Sequence, residues 1–181
     1  MGEAQVLLLP GWQGSGPGHW QSRWQALHGH ARVEQHDWQT PRRGDWLARL
    51  EETVIDAPGP LVLVAHSLGC LLVAAWARHS RHTARVRGAL LVAPADLEQS
   101  DAAPRLPGWT PIVRERLPFS SLLVASRDDP YCAFGRAQEL AQSWGSRLVD
   151  AGVRGHLNAE AGLGDWPEGL ELIRSWLDAA D

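Results

Sequence analysis

Apolar residues along the 181-residue chain gather in short runs, each followed by a stretch with helical spacing. Clear runs cover residues 5–9, 61–65, 88–92 and 121–125, and two weaker ones, 31–35 and 147–150, complete the alternation. Leu61-Val62-Leu63-Val64-Ala65 and Ala89-Leu90-Leu91-Val92 are apolar throughout rather than at every second position. A strand of that kind is buried on both faces, which marks a parallel sheet covered by helices. The spacing predicts helices over 19–27, 44–55, 67–79, 133–144 and 167–179. The last places Leu170, Ile173 and Leu177 on one face, with Asp165 as its expected N-cap and Pro167 in its first turn. Strand and helix in alternation predict an α/β fold: a mostly parallel sheet of about six strands between two helical layers.

One segment breaks the alternation. Residues 94–118 hold no long element and are punctuated by Pro104, Pro107, Gly108 and Pro111. They follow a strand, so they belong to the carboxyl edge of the sheet, where open α/β proteins bind ligands. The length of the chain fits one domain spanning residues 1–181, with no large lid domain, and no internal repeat is present.

Composition narrows the function. Lys and Arg total 17 against 21 Asp and Glu, a net charge of −4, without the basic surplus of a nucleic-acid binder. Cys70 and Cys132 are too few for a disulfide framework and lack metal-binding spacing, so neither a metal nor another cofactor is expected. The run at 6–9 has no basic leader and ends in Pro-Gly, and Val6 stands where a myristoylation signal at Gly2 needs Ser or Thr. The expectation is a cytoplasmic protein without a membrane partner. Ten Trp exceed ordinary usage; most are expected in the core with N–H groups bonded locally.

The sharpest chemical signal is Val64-Ala65-His66-Ser67-Leu68-Gly69, which leaves an apolar strand and opens a helix. That is the setting of a nucleophile elbow, whose tight turn demands small neighbours such as Ala65 and Gly69. Ser67 would project over the sheet at a helix N-terminus; the competing reading is a plain N-cap serine. A serine nucleophile needs a base, and the base needs an acid, in the chain order Ser, Asp or Glu, His. Of eight histidines only His156 lies beyond residue 82. His66 is read as a packing residue, and His28, His30, His36, His79 and His82 as surface residues. Asp128 and Asp129 end the strand at 121–125, with Asp96 as their rival; Asp150 stands too near the histidine loop.

The loop after the first strand, Pro10-Gly11-Trp12-Gln13-Gly14-Ser15-Gly16-Pro17-Gly18, is rich in glycine. It fails as a phosphate loop because Pro17-Gly18 stand where Lys and Ser or Thr are required. The dinucleotide fingerprint also lacks its third glycine, although Asp37 lies near the next strand's end. The loop reads better as an oxyanion loop, with the backbone N–H groups of Trp12 and Leu68 as donors. Gly11, Trp12 and Trp20 are placed at the substrate pocket, and Cys70 in the core.

Taken together, GWQGSGPGHWQSRW, VAHSLG, SRDDP and GHLNAEAGLGDWPEG resemble a family of small serine hydrolases that includes retinoblastoma-binding protein 9 and many bacterial relatives. The bacterial branch is the nearer, and the likeness spans nearly the whole chain. The resemblance implies an α/β-hydrolase fold and selects Asp129 as the acid beside Ser67 and His156. It implies a metal-independent hydrolase cleaving a small ester, thioester or amide, on an acyl or peptide substrate, through an acyl-enzyme intermediate. The pocket-protein motif L-x-C-x-E is absent: Leu68-Gly69-Cys70-Leu71-Leu72 ends in leucine, so that partner does not carry over. The alternative is a hydrolase-fold binding module with a vestigial triad.

Overall fold

The computed structural model describes residues 3–178. Gly2 and the end of the last expected helix, including Ala179, lie outside them. Strands β1 (Gln5–Leu9), β2 (Ala31–Arg32), β3 (Leu61–His66), β4 (Val86–Val92), β5 (Ser120–Ala125) and β6 (Arg147–Asp150) form one sheet. Its order is β2-β1-β3-β4-β5-β6, with every pairing parallel. Helices α1 (Trp20–His28), α2 (Arg43–Asp56), α3 (Leu68–His79), α4 (Phe134–Trp144) and α5 (Pro167–Leu177) supply the crossovers and the C-terminal cover. Among the described residues no helix is long and apolar enough to cross a membrane.

Successive strand residues point to opposite faces, and both faces are apolar because both are covered. Leu7, Leu63, Ala89, Leu91 and Leu123 pack on the face bearing α2, α3 and α4. Leu8, Val62, Val64, Leu90 and Val124 pack on the face bearing α1 and α5, where Trp20, Trp24 and Ile173 close the core. The edge strand β2 is shorter than the expected 31–35. Val33 still donates to Leu8 O at 2.9 Å, but the next position facing β2, two residues on from Leu8, is Pro10, which has no N–H to extend the ladder.

The tryptophans correct the expectation of local bonding. Trp20, Trp24, Trp46, Trp76, Trp109 and Trp144 are all fully buried, yet most of their N–H groups reach remote segments. Trp24 donates to Asp165 O (2.7 Å), Trp109 to Pro41 O (2.9 Å) and Trp144 to Val113 O (2.7 Å). Each indole therefore packs with its body and ties down a loop with its N–H. Asp165 does not cap α5 either. The cap residue is Trp166, and the Asp165 carboxylate instead takes the guanidinium of Arg23 (2.6 Å).

Residues 93–119 carry only a short 3₁₀ turn, Ala103–Arg105. The segment is anchored by buried Leu97, Leu106, Trp109, Ile112 and Leu117, and it walls the carboxyl edge of the sheet.

Candidate active site

At the end of β3 the chain turns sharply through Ser67, at φ 55° and ψ −118°. This conformation costs a non-glycine residue about 1–3 kcal/mol and persists only where the surroundings enforce it. Two features enforce it: the Ser67 N–H donates to Val92 O (3.0 Å), and α3 starts at once with Leu68. The turn presses α3 onto β1 so closely that a Cβ on Gly69 would sit 2.3 Å from Leu9 O. Gly69→Ala is therefore expected to cost about 2–3 kcal/mol, read as a lowered Tm and denaturant midpoint. Gly11 meets the same turn from the other side, where a Cβ would lie 3.0 Å from Ser67 Cβ and 3.2 Å from Leu68 N.

Ser67 makes no side-chain cap bond to its helix. Its Oγ lies 2.9 Å from His156 Nε2 instead. The other ring nitrogen, Nδ1, faces both carboxylate oxygens of Asp129 at 3.0 and 2.9 Å. His156 and Asp129 have only 9% and 3% of their side-chain surface exposed, so the pair is shielded from solvent. Asp129 also accepts from the Tyr131 N–H (2.8 Å).

The neighbouring Asp128 points elsewhere. Its Oδ1 accepts from Ser126 Oγ (2.7 Å) and from the Gly155 N–H (2.8 Å), joining the β5 loop to the residue before His156. These bonds, Ser126 first, hold the Asp128 carboxyl below its usual range. Asp96 is buried and forked by Arg136 at 2.7 and 3.2 Å, which leaves it occupied as an ion pair. Asp37 accepts from the Gln39 and Thr40 N–H groups, closing its own turn.

His66 does more than pack. Its Nε2 lies 2.9 Å from His156 O, an acceptor only, so Nε2 carries the proton. Nδ1 is then bare and faces His19 Nε2 at 3.4 Å, while His19 Nδ1 accepts from the Gln21 N–H (3.1 Å). The bonding order is consistent only with two neutral imidazoles beneath the His156 backbone. Burial, with Arg32 and His156 nearby, lowers the His19 pKa to about 4, and burial pushes His66 well below its ordinary value. Nothing in the sequence marks this pair, since the contact joins the loop before α1 to the end of β3. His30 and His82 also leave the expected surface class. His30 is half-buried, its pKa lowered to about 4 chiefly by burial, and half-buried His82 bonds Glu51 at 2.7 Å.

These depressed histidines give stability a sign with pH. Between about 4 and 6.5 the unfolded chain holds the proton and the folded chain does not, so protonation favours unfolding. The stability is complete above about pH 6.5 and is lost toward pH 4, at on the order of 1 kcal/mol per pH unit for each such histidine. His19→Asn keeps a capping oxygen for Gln21 and removes one titration, so the fall in Tm between pH 7 and pH 5 should become shallower.

Trp20 is not at the pocket. It is 1% exposed, and its N–H holds Leu157 O at 2.8 Å, fixing the residue after His156 from below. Lying beside the glycine loop in sequence did not determine where the ring points, because α1 turns it into the core. Gly11 and Trp12 do line the cavity, about 510 Å³ in volume, into which Ser67 and His156 open. Among the described residues no hydrogen bond is donated by the backbone N–H of Trp12 or of Leu68, and both residues border this cavity. Cys70 is buried, with its thiol pKa raised by burial, and burial takes Cys132 up to about 12; neither is an available thiolate. Among the described residues no group of three or more His, Cys, Asp or Glu is placed to hold a metal ion.

Comparison with known proteins adds the family. Residues 6–175 match the family model described as serine hydrolase. A YdeN-like hydrolase from Pectobacterium atrosepticum is 31% identical with a TM-score of 0.84, covering 97% of this chain and 91% of its own. The ydeN gene product of Bacillus subtilis is 21% identical at TM-score 0.75, covering 97% and 100%. A thermophilic esterase from Thermogutta terrifontis, solved with propionate, shares the fold at 16% identity and TM-score 0.67, over 99% and 86% of the two chains. No curated protein is matched. With nearly all of its length under the family model and a bacterial hydrolase superposing on 97% of it, the chain belongs to the serine hydrolase family and has the α/β-hydrolase fold.

Proposed function

We propose that this hydrolase cleaves small carboxylic esters, or related thioesters and amides, through Ser67, His156 and Asp129. The observation that carries the reading is the continuous path from Ser67 Oγ through the His156 ring to Asp129, each link within 3.0 Å. Asp129 accepts from Nδ1–H and so keeps Nε2 unprotonated, ready to take the serine proton. As the proton passes to Nε2, Oγ bonds to the substrate carbonyl carbon and the carbonyl oxygen becomes an alkoxide. The free N–H groups of Trp12 and Leu68 would donate to that oxygen, helped by the N-terminal end of α3.

Collapse of the tetrahedral species breaks the bond to the leaving alcohol, which takes the proton from Nε2. Water then enters, gives a proton to the same nitrogen and attacks the acyl carbon. The acid departs, and the proton returns to Ser67 Oγ. The strained backbone at Ser67 serves this chemistry by turning Oγ to His156 in the cavity rather than onto α3. The solved esterase from Thermogutta terrifontis lends the ester its place first among these substrates.

A fluorophosphonate probe tests the proposal. Covalent labelling of the folded protein at Ser67, with turnover of a p-nitrophenyl ester, supports it. A folded protein with neither would be a binding module on a hydrolase fold.

A further inference from the structure

The cavity above Ser67 is lined mainly by apolar or uncharged groups, including Leu68, Ala95, Leu97, Ala102 and Leu106, and by one Lys or Arg side chain, that of Arg105. The other charges on its wall are Asp96 and Glu160. Asp96 is already matched by the Arg136 fork, and Glu160 is exposed on the turn Ala159–Ala161. Arg105 is held differently. Its guanidinium carbon lies 4.7 Å from the centre of the Trp12 ring, and that ring is pinned by its own N–H to Gln39 O (2.8 Å).

Among the described residues no carboxylate or carbonyl accepts from the Arg105 guanidinium. Stacking takes up a face of the planar group and leaves its in-plane N–H groups to be satisfied at the edge. An exposed arginine stacked on an aromatic ring, on the wall of the cavity that holds the nucleophile and without an internal anion, can receive a carboxylate in a two-pronged bond. Trp12 is also the residue whose backbone N–H the reading above assigns to the carbonyl oxygen, and Arg105 lines the same cavity as Trp12 and Ser67.

We propose that Arg105, laid on Trp12, recognises a carboxylate carried by the substrate, so that the favoured substrates are anionic esters. This rests on the hydrolase reading above and adds the substrate class. The carboxylate sits a few bonds from the scissile carbonyl, on the acyl or the leaving side, and two probe pairs separate the two. Mono-p-nitrophenyl glutarate against p-nitrophenyl pentanoate reports the acyl side; 4-acetoxybenzoate against 4-acetoxybenzamide reports the leaving side.

The readout is the ratio of kcat/KM for the charged over the neutral member of each pair. Arg105→Gln should lower that ratio about 10- to 100-fold in one pair, the loss of a charge-assisted bond, and Arg105→Lys should restore part of it. The wild-type ratio should fall with added salt. Glu160→Gln should leave the ratio unchanged or raise it. A ratio within about twofold of wild type in Arg105→Gln, for both pairs, overturns the proposal.

Binding separates this outcome from a failure of the hydrolase reading. Glutarate or 4-hydroxybenzoate should bind the Ser67→Ala protein by calorimetry and lose binding when Arg105→Gln is added, whether or not turnover is seen. Failure of Ser67 to label with fluorophosphonate counts against the hydrolase reading alone.

Discussion

Replacing Ser67 by alanine should abolish ester hydrolysis while leaving the fold in place. The loss is expected on the order of 10⁴-fold or more in kcat, because serine and histidine act as a unit and what survives comes from binding and oxyanion contacts alone. The backbone argument says why the fold should survive. Alanine has the same Cβ as serine, so the strain at φ 55° is unchanged, and the close approach of Gly11 to that Cβ is preserved. The one bond lost is from Oγ to His156, which is already held by Asp129. Kinetics with a p-nitrophenyl ester, with Tm as the folding control, decide the matter. Fluorophosphonate labelling should vanish in the same variant. Turnover above about a tenth of wild type would place the nucleophile elsewhere.

The parts of this site that were legible in the sequence are those dictated by local sterics and chain order. An elbow needs a buried strand before it and small residues around it, and 61–69 meet both conditions within nine residues. His156 followed from being the one histidine late in the chain. The buried support is of another kind. Whether Trp20 faces the pocket or the core depends on how α1 seats on β1 and β3, and the ring turned inward to hold Leu157 O. The His19–His66 contact joins residues 47 positions apart and satisfies polar groups that only the packed sheet removes from water. Asp165 meets its arginine 142 residues away, one position before the Trp166 that occupies the cap position. Arg105 is likewise unremarkable in sequence; it gains meaning only where the 93–119 segment folds back onto Trp12.

That same limit applied to the two aspartates, where order and spacing left the choice open and the resemblance selected Asp129. The structure supplies the physical difference. Pro130 keeps Asp129 out of the helical region, and adjacent side chains then point in different directions. Asp129 lies with 3% of its side-chain surface exposed against the imidazole, whereas Asp128 is turned to Ser126 and Gly155. Asp129→Asn preserves shape and can still accept from the Tyr131 N–H with its amide oxygen. That leaves its NH₂ facing His156 Nδ1, which favours the tautomer protonated at Nε2, and that nitrogen can no longer take the serine proton. Turnover should fall by up to about 10⁴-fold with Tm little changed. Asp128→Asn retains an oxygen for Ser126 and Gly155 and loses only the charge those bonds favour, so it should lower Tm and keep most of the turnover. Measuring kcat and Tm on both variants separates the roles. Inactivity in Asp128→Asn with full activity in Asp129→Asn would invert the assignment. Full activity in both would leave the imidazole oriented by its backbone alone, through the bond from His66 to His156 O.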